Sequence, residues 1–203
     1  MREAAALEKA IQSRRGLRVL GVDPAVAGAT GFGVVEWHGG TARLVHYGAV
    51  RLPARAGFEE RLRRIHGKIA ELVAEFAPDA VAVESVFTAL NMRTALKLAE
   101  MRGVVLLAAA QAEIPTHSYS PREVKACVAG YGAASKLQMQ QMVSSLLGLR
   151  EYPEPADAAD ALGVAICHGV LSQARTRMTM AVRRESAAEE LRTRTRAARI
   201  SSL

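Results

Sequence analysis

Short apolar runs separated by glycine-rich turns dominate the first part of the chain. LRVLGVD (17–23), TGFGVVEW (30–37) and ARLVHYGAV (42–50) are rich in β-branched residues, and short links join them. Runs of this kind are typical of strands connected as hairpins. The pattern therefore predicts three consecutive antiparallel strands.

A helical period replaces this pattern further along the chain. Apolar residues recur every three or four positions from Phe58 to Phe76, and APDAVAVE then predicts a short buried strand that ends at Glu84. A second helix, from about Asn91 to Ala112, is apolar on nearly all sides. Such a helix is expected either to be deeply buried or to form a subunit interface.

The remaining segments continue the alternation of strands and helices. IPTHSYS predicts another strand, Pro121 opens a helix to about Ala129, and Ser135 caps a helix to about Leu147. A last apolar helix follows YPEPAD. The order predicts an α/β fold with a mixed sheet flanked by helices, antiparallel at its early strands and parallel after the crossover helix. In such sheets functional groups collect at the carboxyl ends of strands.

Length and charge indicate one folded domain with two tails. A chain of 203 residues can bury one sizeable core and is short for two. Residues 17–170 carry fifteen Lys and Arg against fifteen Asp and Glu, so the net charge of +7 comes from the ends. We expect an N-terminal extension (1–16), a folded domain (17–173) and a basic C-terminal tail (174–203). Such tails attract a phosphate backbone or are merely solvated.

The lengths of the apolar segments bear on the cellular location of the protein. No apolar stretch reaches the roughly 20 residues of a membrane span, and the start of the chain lacks the apolar core of a signal peptide. Cys127 and Cys167 have no second ligand at metal-binding spacing, so buried, reduced thiols are expected. The sequence therefore predicts a soluble, cytoplasmic protein.

Four carboxylates stand where predicted elements begin or end. Asp23 ends the first strand, Glu84 ends the strand after the crossover helix, and Asp157 and Asp160 open the helix DAADALGVAICH. Residues three apart on a helix can face the same point. Taken singly, each acid has an ordinary structural role. Asp157 would be a helix N-cap, Asp160 would favour the helix dipole, and the strand-end acids would start a turn or face solvent.

Taken together, the four acids predict a metal site. No matched cations are evident beside them in the sequence, and two like charges at about 4 Å repel by on the order of 4 kcal/mol at an effective dielectric of about 20. Oxygen-only ligands suit Mg²⁺ or Mn²⁺ rather than zinc. Two such ions about 3.5 to 4 Å apart can activate water at a phosphate and stabilise the leaving oxygen. We therefore expect two Mg²⁺ ions per site, with Mn²⁺ able to substitute.

Four motifs, in fixed order, carry a family resemblance. They are VLGVDPAVAGATGFGVV, AVESVFTALNMRTALKLAEMRG, YSPREVKACVAGYGAASKLQMQQMV and DAADALGVAICH. With these motifs the chain, over approximately residues 18–173, resembles the bacterial crossover junction endodeoxyribonucleases, the RuvC-type Holliday junction resolvases. The resemblance implies an RNase H-like nuclease domain, a homodimer, and Mg²⁺-dependent paired nicking of four-way DNA junctions in recombination and repair. It also implies 5′-phosphate and 3′-hydroxyl products and the branch-migration partners RuvA and RuvB.

The resemblance gives roles to the acids and to one aromatic residue. Asp23, Glu84, Asp157 and Asp160 match the family's four metal-binding acids, which makes them the candidate catalytic residues. Phe87 matches an aromatic residue that such enzymes place against bases near the junction. As an alternative, Phe87 packs under the following helix.

Basic and polar residues form the candidate DNA-binding set. Lys125 and Lys136 match family lysines associated with DNA contact. Asn91 and Arg93 stand where a helix N-terminus can reach a backbone phosphate, or serve only as a cap and a solvated charge. Ala25 departs from the family's usual glycine, and the loop AVAGA holds one extra residue.

Three other interpretations stay open. GVDPAVAGATG also resembles the phosphate loop of sugar-kinase and actin-like ATPases, although those proteins need a second, similar domain. A non-catalytic junction-binding protein would gain nothing from acids that face phosphates. A related nuclease that cuts another structured nucleic acid is the more serious alternative, because metal-binding acids specify the chemistry and not the substrate.

Overall fold

One five-stranded sheet organises the part of the chain that the computed structural model describes, residues 16–26, 28–53, 55–85 and 91–200. Its strands are β1 (Leu17–Asp23), β2 (Thr30–His38), β3 (Thr41–Val50), β4 (Ala80–Glu84) and β5 (Thr116–Tyr119). The helices within the described residues are α1 (Phe58–Phe76), α2 (Met92–Gln111), α3 (Pro121–Ala129), α4 (Lys136–Leu147) and α5 (Ala156–Ile200).

The strand order is β3-β2-β1-β4-β5. The β1–β2 and β2–β3 pairs are antiparallel, whereas β4 pairs in parallel with β1 and with β5. This arrangement confirms the predicted mixed sheet. Both parallel pairs follow crossover connections that contain a helix, as parallel strands require.

Contacts along the chain define two compact units, one ending at Gly169 and one beginning at Val170. The first unit holds the sheet, α1 to α4 and the beginning of α5. The second holds the rest of α5, where residues 174–186 are exposed to solvent. Among the described residues, no helix combines the length and apolar character that a membrane span needs.

Strand alternation gives the sheet two different faces. Val22 and Val83, paired across β1 and β4, belong to the main hydrophobic core together with buried residues of α1 and α2. Successive residues of a strand point to opposite faces. Asp23 and Glu84, the next residues along each strand, therefore point away from this core, towards the face that carries the start of α5.

Glycines let α5 lie directly on that second face. Gly31 of β2 pairs with Asp23, and Gly21 of β1 pairs with Gly33. A Cβ at Gly31 would overlap the carbonyl oxygen of Asp157, and one at Gly21 would overlap that of Ala161. The helix backbone is therefore closer to the strands than any side chain at these positions would permit.

Helix α2 packs into the core along one side only. Met101 and Val105 are fully buried, but Met92 is 74% exposed, Leu96 58% and Leu107 52%. The expectation of deep burial is therefore wrong for the single chain. The alternative expectation, a subunit interface, stays a prediction.

The start of α5 also differs from its expected form. The helix begins at Ala156, so Asp157 lies in its first turn and is not the N-cap. The cap predicted for α4 is confirmed, because the Ser135 hydroxyl accepts a hydrogen bond from the backbone N–H of Gln138.

The tight packing of α5 predicts the effect of one added methyl group. Gly31→Ala should lower the free energy of unfolding by about 1 to 3 kcal/mol, the usual cost of overpacking, because the start of α5 must move. Gly67→Ala is the matched control, since Gly67 lies inside α1 with open space around its Cα. It should raise stability by about 0.5 to 1 kcal/mol. Urea unfolding checks both; equal effects would contradict direct packing of α5 on Gly31.

Candidate active site

Three of the four predicted acids line a single cavity. Asp23, Glu84 and Asp160 border a space of about 230 Å³ at the carboxyl ends of β1 and β4 and beside the first turns of α5. Lys125 of α3 and Lys136 at the start of α4 complete its charged lining. Two parallel strands and three helices thus bring together groups that are far apart in the sequence.

Asp23 and Glu84 form a carboxyl–carboxylate pair at the bottom of this cavity. Burial, followed by the charge and hydrogen bond of Glu84, raises the pKa of Asp23 to about 8. The charges of Asp160 and Asp157 raise it further, which places both near the pair. Burial also raises the pKa of Glu84, although the hydrogen bond from Asp23 and the charge of Lys125 oppose it. At neutral pH, Asp23 therefore keeps its proton and donates a hydrogen bond to Glu84.

The other two acids face cations. Lys136 Nζ lies 3.2 Å from Asp160 Oδ2, and Arg51 Nη2 lies 3.9 Å from Asp157 Oδ2. The expectation that the acids lack matched cations is therefore wrong. Elements remote in sequence supply these partners, so inspection of neighbouring residues could not find them.

Arg51 is a charged residue near the acids that sequence analysis missed. It follows Val50, the last residue of β3, which pairs with Thr30 at the start of β2. Since β2 is antiparallel to both β1 and β3, the carboxyl ends of β1 and β3 lie at the same edge of the sheet. The rule that functional groups collect at this edge was the signal that could have identified Arg51.

The donor set fits a hard divalent cation. In the described residues, no three His, Cys, Asp or Glu side chains converge closely enough, as they stand, to hold a metal ion. The raised pKa of Asp23 and the lysine beside Asp160 nevertheless indicate that negative charge is concentrated at this point. Carboxylate oxygens are the ligands that Mg²⁺ and Mn²⁺ favour. A cation that replaces the proton and the lysine would relieve the same repulsion.

The remaining predicted residues are Asn91, Arg93 and Phe87. Asn91 is the N-cap of α2, since its Oδ1 accepts a hydrogen bond from the N–H of Thr94 at 2.9 Å. Arg93 is exposed and is absent from the cavity lining. Phe87 lies outside the described residues.

The first loop, where the sequence departs from the family pattern, is tied down at two points. The N–H of Ala25 donates to Thr30 Oγ1 at 3.4 Å, and Arg61 of α1 donates to the carbonyl oxygen of Gly28 at 3.1 Å. Gly28 has a φ of +94°, a conformation that glycine adopts without strain. This loop is therefore anchored to both β2 and α1.

Comparisons with known proteins agree on one family. The family model described as crossover junction endodeoxyribonuclease RuvC matches residues 19–168. A crossover junction endodeoxyribonuclease RuvC from Chloroflexus aurantiacus is 48% identical over 152 residues, covering 75% of this chain and 92% of that protein. The structure of Thermus thermophilus RuvC is 38% identical with a TM-score of 0.72, covering 78% of this chain and 97% of that chain.

A second solved structure, T. thermophilus RuvC in complex with Holliday junction substrate, is similar to the same extent. Its TM-score is 0.74 at 38% identity, with coverage of 79% of this chain and 97% of that chain. These likenesses confirm the expected RNase H-like fold.

The raised pKa of Asp23 predicts how the metal-free protein responds to pH. Its folded-state pKa of about 8 exceeds the ordinary value of 3.8, so the stabilising effect of the bound proton is complete below pH 4 and is lost as the pH rises towards 8. The free energy of unfolding in EDTA should fall across this window. Asp23→Asn should reduce the fall by more than about 1.4 kcal/mol, the equivalent of one pKa unit.

Urea unfolding at pH 4 to 8 measures this effect, with Glu75→Gln as the control for an exposed carboxylate. Parallel pH profiles for wild type and Asp23→Asn would show that Asp23 ionises normally. Added Mg²⁺ should stabilise the wild type more at pH 8 than at pH 5, because the ion competes with fewer protons.

Proposed function

The chain belongs to the RuvC family of crossover junction endodeoxyribonucleases, and we propose that it resolves Holliday junctions with the acids gathered around Asp23. The observation that carries this proposal is the meeting of Asp23, Glu84 and Asp160 in one cavity. The reaction is the hydrolysis of one phosphodiester bond in each of two opposed strands. It leaves 5′-phosphate and 3′-hydroxyl ends that a ligase can join.

RuvC enzymes are metal-dependent, and we propose Mg²⁺, two ions per active site, with Mn²⁺ as a substitute. Asp23, Glu84, Asp157 and Asp160 would hold the ions. Bound in this way, divalent cations supply activation of water and stabilisation of the leaving 3′ oxygen. The chain's own part is to place four carboxylates around one point and to release the Asp23 proton.

Lysines at the cavity rim suit the binding of a phosphate. Lys125 and Lys136 line the cavity from α3 and α4, and 61% of the Lys136 side chain is exposed. With a cation held by Asp160, the Lys136 ammonium would be free to contact DNA. Arg93, exposed in the first turn of α2, is available for a backbone phosphate, and the N-cap Asn91 orients that turn.

Phe87 has the role that the resemblance assigns to it. In the sequence it follows Glu84 by three residues, and its proposed role is to stack on an unpaired base. Such stacking contributes about 1 to 3 kcal/mol per base. Opening of the junction centre would therefore occur next to the metal-binding acids.

Paired nicking requires two active sites, and we propose a homodimer formed through the exposed face of α2. Met92, Leu96, Gly103 and Leu107 follow one another at spacings of four and seven residues, which places them along one side of the helix. Two copies related by a two-fold axis would match the near two-fold symmetry of a four-way junction. RuvA and RuvB would supply branch migration, and the cytoplasm, where the DNA lies, would be the location.

Cleavage of a synthetic junction tests this function. In Mg²⁺, the wild type should produce paired, ligatable nicks on a mobile four-way junction and leave a duplex of equal length intact. Asp160→Asn should lower the cleavage rate at least a hundredfold while binding persists at moderate salt, because an amide is a poor metal ligand that does not repel phosphate. Glu75→Gln, which neutralises an exposed acid of α1, should cut like the wild type.

Each other outcome favours a different activity. Equal cutting of duplex and junction would indicate a nuclease for another structured nucleic acid. Junction binding without cleavage by the wild type would indicate a non-catalytic binding protein. Loss of binding together with cleavage in Asp160→Asn would contradict a metal role for this acid.

The dimer proposal predicts the effect of charge on α2. Leu96→Asp with Leu107→Asp should convert a dimer into a monomer in light scattering at micromolar concentration, because carboxylates would be buried against a second apolar helix. The monomer should make single nicks in place of paired ones. Leu146→Asp, at an exposed position of α4, serves as the control and should remain dimeric. A double variant that stays dimeric would place the interface elsewhere.

A further inference from the structure

A second, larger cavity lies next to the acids. It has a volume of about 530 Å³ and is bordered by the connection from β3 to α1 and by the first turns of α1. Its charged lining residues are Arg51, Arg55, Glu60 and Arg64, and we refer to it as the arginine groove. The roles assigned so far to the acids and lysines make no use of this surface.

The arginine groove begins where the active site ends. Arg51 belongs to both, because it lines the groove and its guanidinium lies 3.9 Å from Asp157. The strand that leads to it, β3, ends at Val50 opposite Thr30, and the next residue of β2, Gly31, pairs with Asp23. The groove therefore opens at the edge of the sheet where the acids are found.

The charge of the groove is positive even though it contains one acid. Glu60 accepts two hydrogen bonds of 2.7 Å from Arg63 and one of 3.0 Å from Arg64. These two guanidinium groups lower the pKa of Glu60 to about 2, so it is ionised at neutral pH. Among the lining residues, its single negative charge stands against the three cations of Arg51, Arg55 and Arg64.

The exposure of these arginines indicates that they are not there to stabilise the fold. The side chain of Arg51 is 71% exposed, and that of Arg64 is 64% exposed. Exposed ion pairs contribute little to folding, whereas the planar guanidinium presents several donors that match the oxygens of a phosphate. The arginine groove is positively charged, open to solvent and adjacent to the acids. It therefore suits a polyanion that extends beyond the active site.

We propose that the arginine groove binds the phosphate backbone of the junction strand on one side of the scissile phosphate. This inference rests on the proposed function, since the strand must be positioned at the acids for cutting. The groove holds the backbone by charge and shape, so it contributes affinity and register without selecting a sequence. Arg51 marks the point where the strand passes from the groove to the active site.

The test compares junction binding by full-length variants in EDTA. Arg55→Gln with Arg64→Gln should raise the Kd about tenfold or more at moderate salt. The slope of log Kd against log salt concentration should fall by about two, close to one unit for each lost phosphate contact. Arg63 still pairs with Glu60 in this variant, and thermal unfolding confirms that the fold is retained.

Arg43→Gln is the matched control. Arg43 is an exposed arginine near the start of β3, eight residues before Arg51 and so about 25 Å away along an extended strand. Its loss removes a positive charge without touching the groove. Affinity and salt slope should stay at wild-type values, and an equal effect of both variants would overturn the proposal in favour of a general charge effect.

Replacing single phosphates of the junction DNA with uncharged groups identifies which phosphates the protein contacts directly. A methylphosphonate placed one, two or three nucleotides from the scissile position should weaken binding by the wild type at one or more sites. The same link should cause no further loss in Arg55→Gln with Arg64→Gln. Independent, additive losses at every position would overturn the proposal. Unchanged binding by the variant would also overturn the proposal. If the same wild-type preparation cuts the junction in Mg²⁺, that result leaves the proposed function intact.

Discussion

The contact between the backbone of α5 and the glycines of β1 and β2 is the constraint on which the site depends. With no side chain at Gly21 and Gly31, the helix lies directly over the end of β1. The acids of its first turns, Asp157 and Asp160, then come close enough to raise the pKa of Asp23. A larger residue at either glycine would lift the helix and separate acids that come from different parts of the chain.

This arrangement concentrates negative charge at a buried site, where it destabilises the fold. Burial of Asp23 and Glu84 is unfavourable, and the metal-free protein lessens the repulsion with a shared proton and with cations from Lys136 and Arg51. The same groups explain why a divalent ion would bind here. Local stability is given up at a point where the chemistry needs concentrated negative charge, as is common at functional sites.

Periodicity predicted nearly all of the described strands and helices, because period-2 and period-3.6 patterns are local. It identified α1 from Phe58 to Phe76 with the bounds that the structure has. What it could not give depends on tertiary packing. An apolar helix such as α2 does not reveal which of its sides is covered. The start of α5 at Ala156, one residue before Asp157, was likewise not evident from the local pattern. The partnership of Arg51 with Asp157 required the direction of β3 relative to β1.

The strand order itself explains why the arginine groove and the acids are adjacent. Strands lie about 4.8 Å apart, so the ends of β3 and β1, with β2 between them, are separated by roughly 10 Å. Asp157 sits over Gly31 of that middle strand, and so between Asp23 and Arg51. A DNA backbone that crossed this edge of the sheet would pass Arg51 first and then the acids. The loop from β1 to β2 lies at the same edge, and the hydrogen bond from Arg61 to the carbonyl oxygen of Gly28 connects it to α1, whose first turns border the arginine groove.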